Sequence, residues 1–109
     1  MRIGDAFENS QVVCFATDNR RLVGAGRAIS DGEYHGIIFD IVVHPDFQRH
    51  GIGEQLVKGI IERLPVWRII LVADKDVQPF YAKLGFQPFT DVMTRFDQTR
   101  LYDGPSQNL

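Results

Sequence analysis

The chain has 109 residues, 44% of them apolar, and its 12 basic and 14 acidic side chains leave a formal charge of −2. This length is typical of one domain with one core, and the balance of charge excludes strongly basic proteins that bind nucleic acid or anionic membranes. The single cysteine, Cys14, excludes a disulfide framework and a multi-cysteine zinc site. We expect a cytoplasmic protein, and the apolar runs are too short to span a bilayer.

The first part of the chain favours β-strands. A short apolar run over residues 12–16 ends at a turn over 17–20, and residues 22–29 form the return strand, whose two glycines indicate a bulge or a close backbone approach. Residues 34–43 follow as a strand, in which residues 37–43 are apolar on both faces except at Asp40. This pattern is typical of a central strand covered on both sides.

The spacing of apolar residues then becomes helical. It predicts a first helix over residues 52–64, a buried strand over 67–73 and a second helix over 77–84 with Gly85 as its left-handed C-cap. Residues 87–96 predict a last strand. The expected fold is α/β with mixed α+β character, in the order β-β-β-α-β-α-β, with helices flanking a central mixed sheet.

We expect a single domain over residues 1–109. Its first ten residues have room for a residual helix, and residues 11–96 form the core. Residues 97–109 contain turn-forming and polar groups at their end, which predicts a flexible tail or a segment that contacts a partner.

The turn between the central strand and the first helix is the most informative stretch. Its sequence Gln48-Arg49-His50-Gly51-Ile52-Gly53 places two glycines at a helix start, where backbone N–H groups face outward without a Cβ in the way. These N–H groups and the helix dipole favour an anion such as a pyrophosphate, and Arg49 and His50 add side-chain donors. A dinucleotide fingerprint would need a third glycine where Leu56 stands. The glycine spacing alone also fits a tight turn without a ligand.

This turn resembles the Gln/Arg-x-x-Gly-x-Gly/Ala signature of the GNAT superfamily of N-acetyltransferases. Phe80-Tyr81-Ala82-Lys83-Leu84-Gly85-Phe86 is similar to that family's second hallmark, and the two motifs stand in the family's order with a strand between them. The resemblance covers roughly residues 11–96. It implies a transferase that uses acetyl-CoA as cosubstrate and in which an amine attacks the thioester directly.

The resemblance also implies a cofactor site. Strand residues would pair with the pantetheine arm through their backbone, and turn residues would bind the pyrophosphate. Asp74 departs from the family pattern, in which many relatives carry an asparagine, and a solvated loop position is the alternative for it. The implied cofactor-binding positions are Ile41, Val42, Val43, Gln48, Arg49, His50, Gly51, Ile52, Gly53 and Asp74.

Two side chains are catalytic candidates. Tyr81 matches the family's tyrosine that donates a proton or hydrogen bond to the departing thiolate, although its apolar stripe alone would assign it to the core. A main-chain N–H near Val43 is the family-like donor to the thioester carbonyl. An isolated buried carboxylate is costly, so Asp40 should have a partner or a function. One alternative is that it binds or deprotonates the acceptor through water. The other is that it accepts structural hydrogen bonds. If no base is dedicated, bulk water takes the proton. No metal is expected, since the histidines lack ligand spacing.

The short front of the chain bears on its partners. Family members usually begin with a strand and two helices that form one wall of the acceptor cleft, and here there is room for only a turn or two of helix. We expect a homodimer whose second copy supplies the wall; a large acceptor and a clipped chain with impaired catalysis are the alternatives. The expected acceptor is an amine-bearing small molecule or peptide. The rival interpretation is a non-catalytic acyl-CoA-binding or sensing module.

Overall fold

The structure, a computed structural model, describes residues 2–101, with side chains from Gly4 onward. Over these residues the α/β fold with a mixed sheet is confirmed. The elements follow in the order α1 (Arg2–Glu8), β1 (Val12–Asp18), β2 (Arg21–Ser30), β3 (His35–Val43), a 3₁₀ turn (Pro45–Phe47), α2 (Ile52–Glu62), β4 (Arg68–Leu71) and α3 (Gln78–Ala82).

The four strands form one sheet in the order β1-β2-β3-β4, in which the first three are antiparallel and β4 is parallel to β3. The β1–β2 hairpin is tighter than predicted, because Thr17 and Asp18 still pair with β2. Its two turn residues, Asn19 and Arg20, have φ values of 50° and 66°. Two left-handed residues in succession suit the right-handed twist of the flanking strands.

The core lies between the sheet and the helices α2 and α3. Helix α2 and strand β3 pack directly against the backbone of Gly26, since a Cβ there would stand 2.6 Å from Ile41 Cδ1 and 3.0 Å from Ile60 Cδ1. This explains why β2 carries glycine in its interior. The buried cluster comprises Val12, Ala28, Ile38, Ile41, Val43, Leu56, Val57, Ile60, Leu64 and Tyr81.

The central strand β3 is covered less completely than its sequence predicts. Its buried residues include Ile38, Ile41 and Val43, whereas Ile37 and Phe39, on either side of Ile38, are only half-buried. The reason is that α2 packs on one face, while the described part of the opposite face has only the short α1, whose Phe7 stacks on Phe15 of β1.

The C-terminal part differs most from expectation. β4 is only four residues long, and residues 87–96 form no strand, so the predicted last strand is wrong for the described structure. A segment with strand propensity forms a strand only when a neighbouring strand pairs with it. Pro88 has no backbone N–H and therefore cannot donate a hydrogen bond to such a neighbour. Residues 97–101 are exposed, and the rest of the predicted tail, 102–109, lies outside the described residues. Over 2–101, no helix is long and apolar enough to cross a membrane.

Candidate functional site

Strands β3 and β4 separate part of the way along their length. Their parallel pairing runs from His35 opposite Arg68 to Ile38 opposite Leu71 and then stops, while β3 continues to Val43. On the side away from β2, residues 41–43 therefore have no strand partner within the described chain. This open backbone edge can bind an extended ligand by the hydrogen bonds that a strand would otherwise make.

A β-bulge interrupts β3 at the start of this open edge. Ala25 stands opposite Val42 and Arg27 stands opposite Phe39, so two β3 residues, Asp40 and Ile41, face the single Gly26. Asp40 has a φ of 56°, in the left-handed region. A bulge of this kind bends the strand and increases its twist, which turns the following residues away from the line of β4.

The turn after β3 is held by local hydrogen bonds. The His44 N–H donates to the carbonyl of Val23 at 2.7 Å, and the Asp46 N–H donates to His44 Nδ1 at 3.1 Å. Gln48, predicted to bind the cofactor, donates its side-chain Nε2 to the Val43 carbonyl at 3.0 Å. Its side-chain amide therefore fixes the end of the strand to the turn.

The helix α2 begins with unpaired backbone donors. Arg49 and Gly51 have φ values of 67° and 80°, and Gly51 makes no side-chain cap. The first hydrogen bond of the helix is the Gln55 N–H to the Gly51 carbonyl at 3.1 Å, and no described residue accepts a bond from the N–H groups of residues 49–54. The predicted residues of this turn are thus together at one helix end, with Arg49 and His50 exposed beside it. Such an end attracts an anion.

Arg21 is a basic residue near this turn that sequence reasoning missed. Its guanidinium carbon stands 5.4 Å from the ring centroid of Phe47, which belongs to the 3₁₀ turn. The contact brings the turn end of the β1–β2 hairpin beside the 3₁₀ turn. Only the register of β2 against β3 creates this proximity, and a single sequence carries no signal for it.

Tyr81 is buried in the core with an unsatisfied hydroxyl group. The side chain is 2% exposed and packs edge-on against Phe80 and Phe86, with ring centroids 5.0 and 5.8 Å away. Its hydroxyl oxygen has no hydrogen-bond partner in the described structure, and burial raises the pKa of Tyr81 to about 12. The predicted C-cap at Gly85 is wrong, because α3 ends at Ala82 with Lys83 as its C-cap. Gly85 is left-handed (φ 95°) in the turn that follows, where the Phe86 N–H donates to the Tyr81 carbonyl at 3.2 Å.

Asp40 pairs with an arginine that the sequence analysis did not single out. Arg27 Nε lies 2.6 Å from Asp40 Oδ2, and the two side chains are 13% and 10% exposed. The guanidinium also stands over the Phe39 ring at 4.8 Å and donates through Nη1 to Ser10 Oγ at 3.2 Å. The buried carboxylate thus has the charged partner that its burial requires.

The remaining predicted positions fall at two places. Ile41 and Val43 bury their side chains in the core, so only their backbone can face a ligand at the open edge, and they share the buried cluster with Tyr81. Asp74 is exposed after β4, and its carbonyl accepts the N–H groups of Val77 and Gln78 at 3.0 and 3.1 Å. It therefore helps to start α3. Among the described side chains, no group of three or more His, Cys, Asp or Glu residues could hold a metal ion.

Comparison with known proteins bears on this arrangement. A family model described as an acetyltransferase (GNAT) domain matches residues 9–88. The chain is 39% identical over 88 residues to the uncharacterized N-acetyltransferase ycf52 of Pyropia yezoensis, which covers 74% of this chain and 51% of that protein. It is 37% identical over 73 residues to the histone acetyltransferase TAP1 of Glycine max, covering 64% and 32%. The chain thus spans about half the length, or less, of these relatives.

Solved structures show the same fold. A GNAT family acetyltransferase from Streptococcus pneumoniae superposes with a TM-score of 0.78 at 26% identity, covering 86% of this chain and 76% of that one. A probable acetyltransferase from Staphylococcus aureus gives a TM-score of 0.75 at 26% identity, covering 87% and 76%. The family match spans β1 to α3 and therefore includes the open edge of β3, the turn and Tyr81.

Proposed function

Because the chain belongs to the GNAT acetyltransferase family, we propose that it is an N-acetyltransferase that transfers the acetyl group of acetyl-CoA to an amine. The observation that carries this proposal is that strand β3 and the start of α2, which follow each other along the chain, both present unsatisfied backbone groups. The open edge of β3 leads into the free N–H groups of residues 49–54, and the core cluster that contains Ile41 and Val43 also holds the orphaned Tyr81 hydroxyl.

The residues fit acetyl-CoA part by part. The open edge offers donors and acceptors to the amides of the pantetheine arm, and the N–H groups of residues 49–54 with the α2 dipole suit the pyrophosphate. The Tyr81 hydroxyl suits the sulfur, because an unsatisfied buried polar group costs about 1–3 kcal/mol until it finds a partner. When bound, acetyl-CoA supplies an activated acetyl thioester.

The proposed cofactor contacts are mostly made by the main chain. Ile41, Val42 and Val43 contribute backbone groups at the edge, and Gln48 to Gly53 contribute N–H groups at the helix start. Arg49 and His50 add exposed side chains. Asp74 remains a proposed contact to the pantetheine arm, because it follows β4 on the other side of the strand divergence.

Tyr81 would act chiefly as a hydrogen-bond donor to the leaving sulfur. Its pKa of about 12 lies above that of an ordinary thiol, about 8.5, so full proton transfer to a thiolate is uphill by roughly 5 kcal/mol. A hydrogen bond still stabilises the negative charge that develops as the carbon–sulfur bond breaks. A main-chain N–H near Val43 would donate to the carbonyl oxygen. As the carbon–sulfur bond breaks, the proton released by the amine passes to water and finally to the departing thiolate, which becomes the free thiol of CoA.

For Asp40 we propose the structural role of the two that the sequence leaves open. Its Oδ2 accepts a hydrogen bond from Arg27 at 2.6 Å, so the carboxylate forms a contact between β3 and β2. Deprotonation of the acceptor is then left to bulk water, which favours amines that are already partly neutral at the working pH.

The experiment that tests this function is thiol release from acetyl-CoA across a panel of small amines, amino acids and lysine peptides. We expect amine-dependent release by at least one class of acceptor, and loss of it in the Tyr81→Phe variant. A thermal-shift titration with acetyl-CoA runs beside it and reports cofactor binding alone. The absence of any shift at millimolar acetyl-CoA would overturn the cofactor assignment.

The second candidate is a non-catalytic acyl-CoA-binding module. It is favoured by the sparse cover of the sheet face opposite α2, where Phe15 is 60% exposed and α1 is only seven residues long. Stabilisation by acetyl-CoA without release of thiol for any amine would support this candidate over the enzyme.

We also propose a homodimer in which a second copy covers this face and completes the acceptor cleft. The exposed Phe15 and Trp67, at 60% and 78%, provide apolar surface for such contact. Sedimentation that shows a monomer throughout the micromolar range would contradict it. The proposed acceptor is an amine-bearing small molecule or peptide, with neither nucleic acid nor membrane as partner.

The compartment is proposed from the relatives and from Cys14. Three relatives from Arabidopsis thaliana carry the word chloroplastic in their names, at 37–41% identity. We propose a reducing compartment, of plastid type where the host cell has plastids and the cytoplasm otherwise. Acid-trapped thiol labelling of protein from cells should find Cys14 reduced, and an oxidised Cys14 would contradict the proposal.

A further inference from the structure

The left-handed conformation of Asp40 is costly and needs support. A non-glycine residue in this region of backbone space costs roughly 1–3 kcal/mol and persists where the surroundings hold it. Asp40 has a φ of 56° in the middle of a buried strand, at the bulge position where glycine is the usual residue. Its side chain forms an ion pair with Arg27, at 2.6 Å.

Arg27 is itself fixed from several sides. Its guanidinium lies between the rings of Phe39 and Phe7, with centroid distances of 4.8 and 6.0 Å, and donates to Ser10 at 3.2 Å. Phe39 precedes Asp40, whereas Phe7 belongs to α1 and Ser10 follows it. A planar guanidinium can stack on rings while its edge binds a carboxylate, and lysine cannot reproduce this geometry.

The bulge controls the open edge of β3. The pairing with β4 ends at Ile38, and the bulge follows two residues later, so the direction of residues 41–43 depends on the backbone angles of Asp40. If Asp40 relaxed to ordinary extended angles, the register of β3 against β2 would shift by one residue. The N–H groups proposed to face the thioester would then be displaced.

We propose that Arg27 is a positioning residue for acetyl transfer: through its ion pair with Asp40 it holds the β3 bulge and thereby aims residues 41–43 at the thioester. The catalytic half of this inference rests on the proposed function, and the structural half does not. The same ion pair connects α1 to the active edge, so the short N-terminal helix takes part in setting the site's geometry.

The test uses four variants of the full chain. Arg27→Met removes the charge and the ion pair with Asp40, and Arg27→Lys keeps the charge without the planar fork. The double variant Arg27→Met with Asp40→Gly removes both charges and puts glycine at the left-handed position. Lys58→Met is the matched control, because it breaks the exposed Lys58–Glu54 pair on α2, whose atoms are 3.3 Å apart.

Three readouts are measured on the folded protein, below the Tm of each variant: kcat for thiol release, Kd for CoA, and amide hydrogen exchange of residues 40–43 without ligand. For Arg27→Met we expect kcat to fall about 10- to 100-fold, as for a small misplacement of reacting groups. Kd should change less than about fivefold, because the N–H groups of residues 49–54 do not contact Arg27. Exchange at residues 40–43 should rise at least about tenfold, with α2 unchanged.

The double variant should recover kcat to within about threefold of wild type, because glycine adopts the bulge angles without support. Arg27→Lys should fall between wild type and Arg27→Met, and Lys58→Met should match wild type. Wild-type kcat and exchange in Arg27→Met would overturn the proposal, as would a double variant no better than Arg27→Met. If Arg27→Met does not fold, Arg27→Lys and the double variant decide by the same readouts.

Failure of the proposed function gives a different result. Wild-type protein that binds CoA but releases no thiol with any amine would remove the enzymatic role. The exchange rates of residues 40–43 would still show whether Arg27 holds the bulge.

Discussion

Replacing Tyr81 by phenylalanine should stabilise the ligand-free protein while it impairs acetyl transfer. The substitution removes one oxygen from a side chain that is 2% exposed and leaves the edge-on contacts with Phe80 and Phe86 in place. Because this oxygen has no hydrogen-bond partner in the described structure, the wild-type protein carries its desolvation cost without compensation. Stability and activity should therefore change in opposite directions at this position.

The magnitude follows from the burial of the hydroxyl. An unsatisfied buried polar group costs about 1–3 kcal/mol, so the variant should gain about that much free energy of unfolding. Each kcal/mol corresponds to a rise of about 4–8 °C in Tm for a domain of about this size. Loss of a donor to a developing negative charge should lower kcat by about 100-fold or more.

The assay pairs urea unfolding of ligand-free protein with thiol release under saturating acetyl-CoA. Tyr34→Phe is the matched control, because the Tyr34 side chain is 66% exposed and its hydroxyl faces solvent, so neither quantity should change. A Tyr81→Phe variant that is less stable than wild type would refute the reasoning, since it would mean that the hydroxyl is already satisfied. Unchanged kcat would refute its role as donor.

Three further predictions follow from the same structure. Burial raises the pKa of Tyr81 from 10.0 to about 12, so the hydroxyl loses its proton at lower pH in the unfolded chain than in the folded protein. The free energy of unfolding of the wild type should therefore fall between pH 10 and 12 by up to roughly 3 kcal/mol relative to Tyr81→Phe. If the free energies of unfolding of the two proteins, measured in urea, change in parallel across this window, the assignment is contradicted. Gly26→Ala should lower the free energy of unfolding, measured in urea, by about 1–3 kcal/mol, because the added Cβ would stand 2.6 Å from Ile41 Cδ1. An unchanged free energy of unfolding would mean that the core is packed less tightly than described. Arg49→Gly suits the left-handed backbone (φ 67°) and removes the whole side chain with its charge, so titration calorimetry should show CoA binding weakened about 3- to 10-fold, less so at high salt. Unchanged affinity would exclude the side chain from the phosphate site.

Local features of the fold could be predicted from sequence because their causes are local. The turn before α2 contains the left-handed Gly51 (φ 80°), and the turn after α3 contains the left-handed Gly85 (φ 95°), a conformation that favours glycine. In β2, Gly26 allows the close approach that its sequence indicated, because a Cβ there would stand 2.6 Å from Ile41 Cδ1. Order and type of the first six regular elements after α1 follow from the same kind of signal.

The features that could not be predicted from the sequence depend on contacts with residues elsewhere in the chain. Residues 87–96 have strand-like composition, but nothing in their own sequence supplies a paired edge, and they remain without strand structure. The ion pair of Arg27 with Asp40 requires a one-residue shift of register between β2 and β3, which no spacing along the chain reveals. In the same way, the cover over β3 depends on what packs on the face opposite α2.

The most direct test of the central claim is thiol release from acetyl-CoA by the wild-type protein, measured with and without amine acceptors and compared with Tyr81→Phe. The account predicts release that depends on the amine, saturates with acetyl-CoA and falls about 100-fold in the variant. Saturable binding of acetyl-CoA with no amine-dependent release would contradict it.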